Sequence, residues 1–159
     1  MKLYLVQHGE ATTEKENPER PLTERGRSDV LKVAKFLKAE DVEIDHIWHS
    51  TKTRAIETAK IIADTLNIEE LCEKREGLTP NDPVEPVIDQ IKRLKPEDEI
   101  ENLMIVGHLP FLQKLASYFL AASPQAALVE FRQGGVVCIE QQNQGPWQFA
   151  WAVHPDLLK

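Results

Sequence analysis

Short apolar runs alternate along this chain with segments whose apolar residues recur at helical spacing. The runs at residues 3–6 and 103–106 are continuous and apolar, which is typical of strands buried on both faces of a sheet. The run at residues 44–48 predicts another strand, and Leu71 with Cys72 predicts a short edge strand. Strands that alternate with helices in this way predict an α/β domain with a mainly parallel sheet.

Four amphipathic helices are predicted between and after these strands. Thr23 is a good N-cap for the first, and Ser50 or Thr51 is predicted to cap the second. A loop at residues 80–83 precedes the third helix, and the fourth begins at Pro110, which suits a first helical turn. The inward-facing positions are, in chain order, Val30, Val33, Ala34 and Leu37; Ala55, Thr58, Ala59, Ile62 and Leu66; Val84, Val87, Ile88, Ile91 and Leu94; and Leu112, Leu115, Ala116, Phe119 and Leu120. Helices on both faces of the sheet would make a three-layer α/β/α domain.

The C-terminal part of the chain has a different pattern. Residues 136–139 form an apolar run, and Trp147, Phe149, Trp151 and Val153 alternate with other residues. The sequence Asn-Gln-Gly-Pro at residues 143–146 separates the two segments, which together predict an antiparallel hairpin that closes the sheet. Because no linker or internal repeat is visible, we expect one domain over residues 1–159.

Composition excludes several classes of function. The chain has 159 residues and a formal net charge of -7, so we expect no nucleic-acid partner and no binding to an anionic membrane. Met1 and Lys2 lead directly into a short strand, which leaves no signal-peptide core. The two cysteines, Cys72 and Cys138, are far apart and lack C-x-x-C spacing, so we expect neither a disulfide nor a thiolate zinc site. These features predict a cytoplasmic protein.

Two histidines follow the two most apolar strands. His8 lies in Gln7-His8-Gly9, and His108 lies in the sequence Gly-His-Leu-Pro at residues 107–110. Since ligands bind at the carboxyl ends of strands in open α/β sheets, we expect both histidines in one site. A neutral imidazole beside the small Gly9 can be approached closely and can act as a nucleophile or base. Taken alone, His8 could equally be a structural residue.

The segment at residues 50–55 adds a feature suited to anions. It follows a strand and opens a helix, so free N–H groups and the positive end of the helix dipole lie there. Arg54 falls in the first helical turn, where its charge is poorly placed for helix stability, but its planar fork suits phosphate oxygens. His108 as an imidazolium would also donate to an anion, and a bound phosphate would raise its pKa. The alternatives are an exposed surface arginine and a core histidine satisfied by loop backbone.

Taken together, these motifs resemble the histidine phosphatase superfamily, and within it the small SixA-type phosphohistidine phosphatases. The resemblance covers nearly the whole chain and rests on Gln7-His8-Gly9, Arg20-Pro21-Leu22-Thr23, residues 50–55, Thr58-Ala59, Leu78-Thr79-Pro80 and residues 107–110. It implies a phosphoglycerate-mutase-like fold without a helical lid. It also implies that His8 takes the phosphoryl group, that Arg54 and His108 bind the phosphate, and that no metal or cofactor is needed.

Gln7 departs from the family motif, which begins with arginine. Glutamine keeps one amide donor but loses the charge and the fork of the guanidinium. A hydrogen bond to a charged group is worth about 1.5–3 kcal/mol, and loss of an electrostatic donor at a reacting centre lowers turnover by about 10²–10³. We therefore expect a phosphate clamp that is weakened but not abolished, since Arg54 and His108 remain, with Gln7 and Gly9 as further substrate-binding residues. Arg20 is a candidate to compensate, and is otherwise an ordinary loop arginine.

A second departure concerns the general acid. Gly77 stands where sugar-phosphate members of the family carry an acidic residue, and Glu76 beside it is a candidate acid, as is Glu10. Either carboxylate could instead be a solvated surface charge. An alcohol leaving group needs protonation, whereas the imidazole of phosphohistidine leaves more readily. The weak acid signal therefore favours a phosphoramidate substrate.

The sequence thus predicts a phosphatase that acts on a phosphohistidine-bearing protein domain through a covalent intermediate at His8. The chain between Arg54 and His108 is too short for a large lid, so the pocket should be open to a protein side chain. One alternative is a phosphate-binding module that has lost catalysis through Gln7. Another alternative is a metallohydrolase whose metal ligands would be His8, Glu10, His46, His49 and His108. The sequence contains no H-x-H or H-E-x-x-H spacing that would support such a site.

Overall fold

Six strands form one mixed sheet in the computed structural model, which describes residues 1–159. The strands are β1 (Lys2–Gln7), β2 (His46–His49), β3 (Cys72–Lys74), β4 (Asn102–Gly107), β5 (Val136–Gln141) and β6 (Trp147–Val153). Their order across the sheet is β3-β2-β4-β1-β5-β6. The pairs β3–β2, β2–β4 and β4–β1 are parallel, whereas β1–β5 and β5–β6 are antiparallel. The predicted parallel sheet with an antiparallel C-terminal hairpin is confirmed.

Four α-helices cover the two faces of this sheet. They are α1 (Glu24–Ala39), α2 (Thr53–Leu66), α3 (Glu85–Lys92) and α4 (Phe111–Ala121). Short 3-10 turns occur at Glu69–Leu71, Pro96–Asp98 and Pro155–Leu157. None of the helices is long and apolar enough to traverse a lipid bilayer.

Strand β1 divides the hydrophobic core into two layers. Leu3 and Leu5 point into the core that also buries α3 and α4, whereas Tyr4 and Val6 point into the core that buries α1 and α2. This alternation follows from the two-residue period of a strand, and both faces are apolar because both are covered. The result is the predicted three-layer α/β/α arrangement.

The segment between α2 and β4 contributes a core helix. Helix α3 buries Val87, Ile88 and Ile91 in the same core as α4. Because its apolar face is committed to the sheet, α3 does not form a lid over the carboxyl ends of the strands.

Several predicted boundaries differ from the structure. Thr23 is confirmed as the N-cap of α1, since its side chain accepts the Gly26 N–H at 2.9 Å. The predicted cap of α2 by Ser50 or Thr51 is wrong, because Lys52 occupies the N-cap position without a side-chain bond. Ser50 is fully buried, and its hydroxyl contacts the backbone of Lys52 and the ring of His108. The Ser50 hydroxyl therefore makes a tertiary contact with His108 instead of capping α2.

The remaining differences lie at element ends. Strand β2 begins at His46 rather than at residue 44, and the Asp45 carboxylate just before it accepts the N–H groups of Glu101 and Asn102. Leu71 ends a 3-10 turn instead of joining β3, and α3 ends before Leu94. Pro110 is the N-cap residue of α4 and precedes its first turn.

Candidate active site

The parallel register of β1 and β4 brings the two predicted histidines together. Gln7 lies beside Gly107 in the register, and the His8 N–H donates to the Gly107 carbonyl at 3.0 Å. The centroids of the His8 and His108 rings are 5.1 Å apart. Both residues are buried, with relative exposures of 7% and 1%. The expectation that they share one site at the carboxyl edge of the sheet therefore agrees with their placement.

The ring of His8 has one orientation and one tautomer. Its Nδ1 lies 2.7 Å from the Gly9 carbonyl oxygen, which can only accept, so Nδ1 carries the proton and Nε2 has the free lone pair. Burial lowers the pKa of His8 to about 4; the Gly9 hydrogen bond opposes this shift, and the charges of Arg54 and Arg20 add to it. The imidazole is therefore neutral near pH 7, as a nucleophile requires.

Helices α1 and α2 hold the backbone that follows His8. A side chain at Gly9 would place its Cβ 2.8 Å from Val30 Cγ2 and 3.0 Å from the Gly26 carbonyl oxygen, so only glycine fits against α1. The Gly9 N–H donates to Thr58 Oγ1 at 3.0 Å, and the Thr58 hydroxyl donates to the Arg54 carbonyl at 2.7 Å. One buried hydroxyl thus connects the His8 segment to the helix that carries Arg54.

Arg54 occupies the second position of α2, as the sequence predicts. Its Nε is buried without a hydrogen-bond partner, and Arg54 takes part in none of the ion pairs of the protein. Burial lowers the pKa of Arg54, and the charge of Arg20 lowers it further. A half-buried guanidinium with free donors, next to a helix N-terminus, is suited to bind an anion.

His108 is held by a side chain rather than by loop backbone. Its Nε2 lies 2.8 Å from Ser50 Oγ, whereas its Nδ1 is buried without a partner. Burial lowers the pKa of His108 to about 3, and the nearby charges of His8, Arg54, Lys52 and Arg20 contribute. The imidazolium expected from the sequence is therefore not the state of the unliganded site. The alternative of a core histidine satisfied by backbone is also wrong.

Gln7 is the residue that departs from the family motif, and Arg20 is the candidate to compensate for the lost charge. Gln7 is the last residue of β1, and its amide oxygen is buried without a partner. Arg20 adopts a left-handed backbone conformation with φ of 50°, and its Nε donates to the Thr12 carbonyl at 3.0 Å. Its charge lowers the pKa values of both histidines and of Arg54, which places a second guanidinium near the two rings.

Neither candidate acid, Glu76 or Glu10, forms a hydrogen bond with His8 or His108. Glu76 is exposed in the loop after β3, and Glu10 accepts a hydrogen bond from Thr23 Oγ1 at 3.0 Å. No group of three or more His, Cys, Asp or Glu side chains is arranged to hold a metal ion. The residues of the metallohydrolase alternative are therefore not assembled as a ligand set.

Sequence reasoning missed three groups that support the site. Ser50 was read as a helix cap and Thr58 as part of an apolar face, yet each hydroxyl bonds to the immediate surroundings of a histidine. The Gly134 N–H donates to the carbonyls of Gln7 and His8 at 2.9 and 3.2 Å, which fixes the end of β1 from a distant loop. The available signal for Ser50 was its position directly after β2, and the signal for Thr58 was the Thr58-Ala59 motif on which the resemblance rests.

Comparison with known proteins assigns this fold to a class of protein. The family model of the histidine phosphatase superfamily (branch 1) matches residues 3–83, just over half of the chain. The chain therefore belongs to the histidine phosphatase superfamily, and this membership supports a phosphatase hydrolase.

Within the superfamily, the chain is similar to SixA. It is 27% identical over 161 residues to phosphohistidine phosphatase SixA of Escherichia coli (strain K12), covering 100% of this chain and 97% of that protein. A structure of the protein histidine phosphatase SixA complexed with tungstate superposes with a TM-score of 0.87 at 26% identity, covering 100% of both chains. The alpha-ribazole phosphatase from Shigella flexneri shares the fold, with a TM-score of 0.73 at 17% identity, covering 94% of this chain and 95% of that one. The SixA-type resemblance is confirmed.

Proposed function

We propose that this protein is a phosphatase that removes the phosphoryl group from a phosphohistidine on a protein, through a covalent intermediate at His8. The observation that carries the proposal is the neutral, buried His8 with a free Nε2, in a site where His108 is 5.1 Å away between ring centroids and the charge of Arg54 acts on His8. Arg54 Nε and His108 Nδ1 are both buried without a partner in the protein. The similarity to SixA, named as a phosphohistidine phosphatase, supports the substrate class. We propose that residues 1–159 act as one domain, in the cytoplasm, without a metal or cofactor.

The reaction has two transfers of the same phosphoryl group. His8 Nε2 attacks phosphorus, a P–N bond forms to His8, and the P–N bond to the substrate imidazole breaks. The substrate ring carries a proton on its other nitrogen, so it takes the electron pair of the broken bond and leaves as neutral imidazole. Water then attacks phosphorus, which releases inorganic phosphate and returns His8 to the neutral state. Arg54, the Nδ1 side of His108 and the Gln7 amide hold the phosphoryl oxygens as charge develops on them.

The surroundings of the leaving group favour a phosphoramidate. Glu76, the candidate general acid, is exposed, and Glu10 already accepts a bond from Thr23. A leaving imidazole needs less help from an acid than an alkoxide does. The absence of a lid from α3 leaves the site open to a side chain presented by a protein surface. Both features support phosphohistidine over a sugar phosphate.

Arg20 offsets part of the charge that Gln7 removes. Its Nε bond to Thr12 fixes the guanidinium and leaves the terminal nitrogens free, and its charge acts on both site histidines. We propose that Arg20 binds a phosphoryl oxygen together with Arg54. The clamp then contains two guanidinium groups although position 7 is glutamine.

The direct test compares substrates and one variant. Purified protein is incubated with a phosphohistidine-bearing protein, an aryl phosphate and a phosphoserine peptide, and inorganic phosphate release is measured. We expect release from the phosphohistidine protein, slower release from the aryl phosphate, and none above background for His8→Ala. Equal rates for His8→Ala and the parent, or no release from any substrate, would refute the mechanism.

Gln7 also favours a second candidate, a phosphohistidine-binding module without turnover. In that case the protein would bind the phosphohistidine protein with measurable affinity but release no phosphate. Titration of the phosphorylated and unphosphorylated partner, alongside the release assay, separates the two candidates.

A further inference from the structure

The hydroxyl of Ser50 is completely buried between the strand that ends at His49 and the helix that begins at Thr53. Ser50 has a relative exposure of 0%, and its Oγ makes two contacts, to the Lys52 N–H at 3.2 Å and to His108 Nε2 at 2.8 Å. The Lys52 N–H can only donate, so it uses one lone pair of the oxygen. The single proton of the hydroxyl is left with His108 Nε2 as its acceptor.

This arrangement determines which ring nitrogen of His108 carries the proton. If Nε2 were protonated, it would donate to Ser50, and the hydroxyl proton would be buried without an acceptor, which is costly. If Ser50 donates to an unprotonated Nε2, the proton of the neutral ring must lie on Nδ1. Nδ1 is the buried atom that lacks any partner within the protein.

We propose that Ser50 is a positioning residue that selects the Nδ1–H tautomer of His108, so that the neutral ring presents a hydrogen-bond donor to the phosphoryl group. This inference deepens the proposed function and rests on it for the identity of the ligand. The opposite tautomer would turn a lone pair toward the anionic oxygens and would repel them. Ser50 thus lets a neutral histidine serve as an oxyanion donor, alongside the guanidinium of Arg54.

The two site histidines have complementary protonation patterns as a result. The Gly9 carbonyl keeps the proton on Nδ1 of His8 and leaves Nε2 as the nucleophile. Ser50 keeps the proton on Nδ1 of His108, where no protein group accepts it and it remains available to a ligand. One histidine therefore offers a lone pair to phosphorus and the other offers a proton to oxygen.

The test reads the tautomer directly. Long-range ¹H–¹⁵N correlation spectra of protein with ¹⁵N-labelled histidine distinguish protonated from unprotonated ring nitrogens near neutral pH. We expect His108 of the parent to be protonated at Nδ1 and unprotonated at Nε2. We expect Ser50→Ala to shift His108 toward the Nε2–H form and to weaken tungstate binding by about tenfold.

Ser117→Ala is the matched control. Ser117 is also buried, at 1% exposure, and its hydroxyl accepts only the Ala127 N–H at 3.0 Å, away from the histidines. We expect this variant to keep the parent His108 signals and the parent tungstate affinity. If Ser50→Ala does not fold, Ser50→Cys fills the same space with a weaker donor and should move the tautomer in the same direction.

Two results would overturn the proposal. The first is a parent protein in which His108 is protonated at Nε2. The spectrum of the parent alone reports this, so the result needs no variant. The second is a folded Ser50 variant that keeps the parent tautomer. Neither result depends on phosphatase activity, so failure of the tautomer assignment and failure of the proposed function can be told apart.

Discussion

At the scale of single residues, the proposed site combines a neutral histidine, the proposed nucleophile, with a proposed phosphate clamp that lacks the family arginine at position 7. His8 is neutral because burial lowers its pKa to about 4, and the Gly9 carbonyl holds the proton on Nδ1, which leaves the lone pair on Nε2. Gln7 lacks the charge of the family arginine, while Arg20 places a guanidinium near both histidines. The clamp is therefore charged but differs in geometry from one built on Arg-His-Gly.

Gln7→Arg should raise turnover. The substitution restores a charged, forked donor at the reacting centre, and such a donor is worth about 10²–10³ in rate when it is lost. Because Arg20 already supplies part of the charge, we expect a smaller gain of about tenfold in kcat for aryl phosphate hydrolysis. Gln7→Glu, which adds a negative charge of similar size, should lower kcat. Binding without turnover in both Gln7→Arg and the parent would favour the binding module.

Thr58→Val should impair catalysis through His8. Valine has the same shape but leaves the Gly9 N–H without its acceptor and releases the link to Arg54. A small displacement of the nucleophile can cost up to about 10²-fold, so we expect a lower kcat with little change in KM. Thr58→Ser keeps the hydroxyl and should retain kcat within about twofold. A Thr58→Val enzyme that is less heat-stable but keeps the parent kcat would contradict this positioning role.

At the scale of elements, the site depends on the contact between α1 and the loop after β1. Gly26 lies in the first turn of α1, and a Cβ there would stand 2.1 Å from the Glu10 carbonyl oxygen. The Thr23 N–H also donates to that carbonyl at 2.9 Å. The N-terminus of α1 therefore holds the backbone that begins with His8 and Gly9.

Gly26→Ala should destabilise the protein although alanine is the better helix former. Helix propensity alone would favour alanine by about 0.8–1.0 kcal/mol, but overpacking against fixed backbone costs about 1–3 kcal/mol or more. We expect a net loss of stability in chemical denaturation and a loss of phosphatase activity. Ser28→Ala, at an exposed position of the same helix, should leave both unchanged. A Gly26→Ala protein as stable and active as the parent would show that this contact does not restrain the loop.

The sequence predicted elements best where one pattern determined them. The apolar runs located β1 and β4, and the parallel register that followed brought His8 beside His108. The cap of α2 was mispredicted because a local rule assigned the Ser50 hydroxyl to a helix, whereas a residue distant in sequence, His108, uses it. Local helical spacing likewise assigned Thr58 to the inward face of α2, whereas its hydroxyl accepts the N–H of Gly9, a residue distant in sequence. Contacts between residues far apart in the chain leave no mark on local spacing.

At the scale of the whole molecule, the buried histidines make stability depend on pH. The unfolded chain binds a proton at each histidine near a pKa of about 6.5, whereas His8 in the folded state does so only near a pKa of about 4. Between these values the unfolded state binds more protons than the folded state. Acidification through this range therefore favours unfolding, and the stabilisation present above the unfolded pKa is lost as the pH falls.

His8→Asn should flatten this dependence. Each buried neutral histidine contributes a slope of about 1.4 kcal/mol per pH unit to the free energy of unfolding. We expect the parent to lose stability more steeply than His8→Asn between about pH 6.5 and pH 4, as measured by urea denaturation at each pH. Parallel curves for the parent and His8→Asn would mean that His8 is not held neutral by the fold.

The central claim is that His8 accepts the phosphoryl group, and a single-turnover experiment tests it most directly. Excess protein is mixed with a phosphohistidine-bearing protein, quenched under alkaline conditions that preserve P–N bonds, digested and analysed by mass spectrometry. We predict a transient phosphoryl group on the peptide that contains His8, located at His8 by fragmentation, which decays as inorganic phosphate appears. Phosphate release without that adduct under conditions that would accumulate it, or an adduct at another residue, would contradict the account.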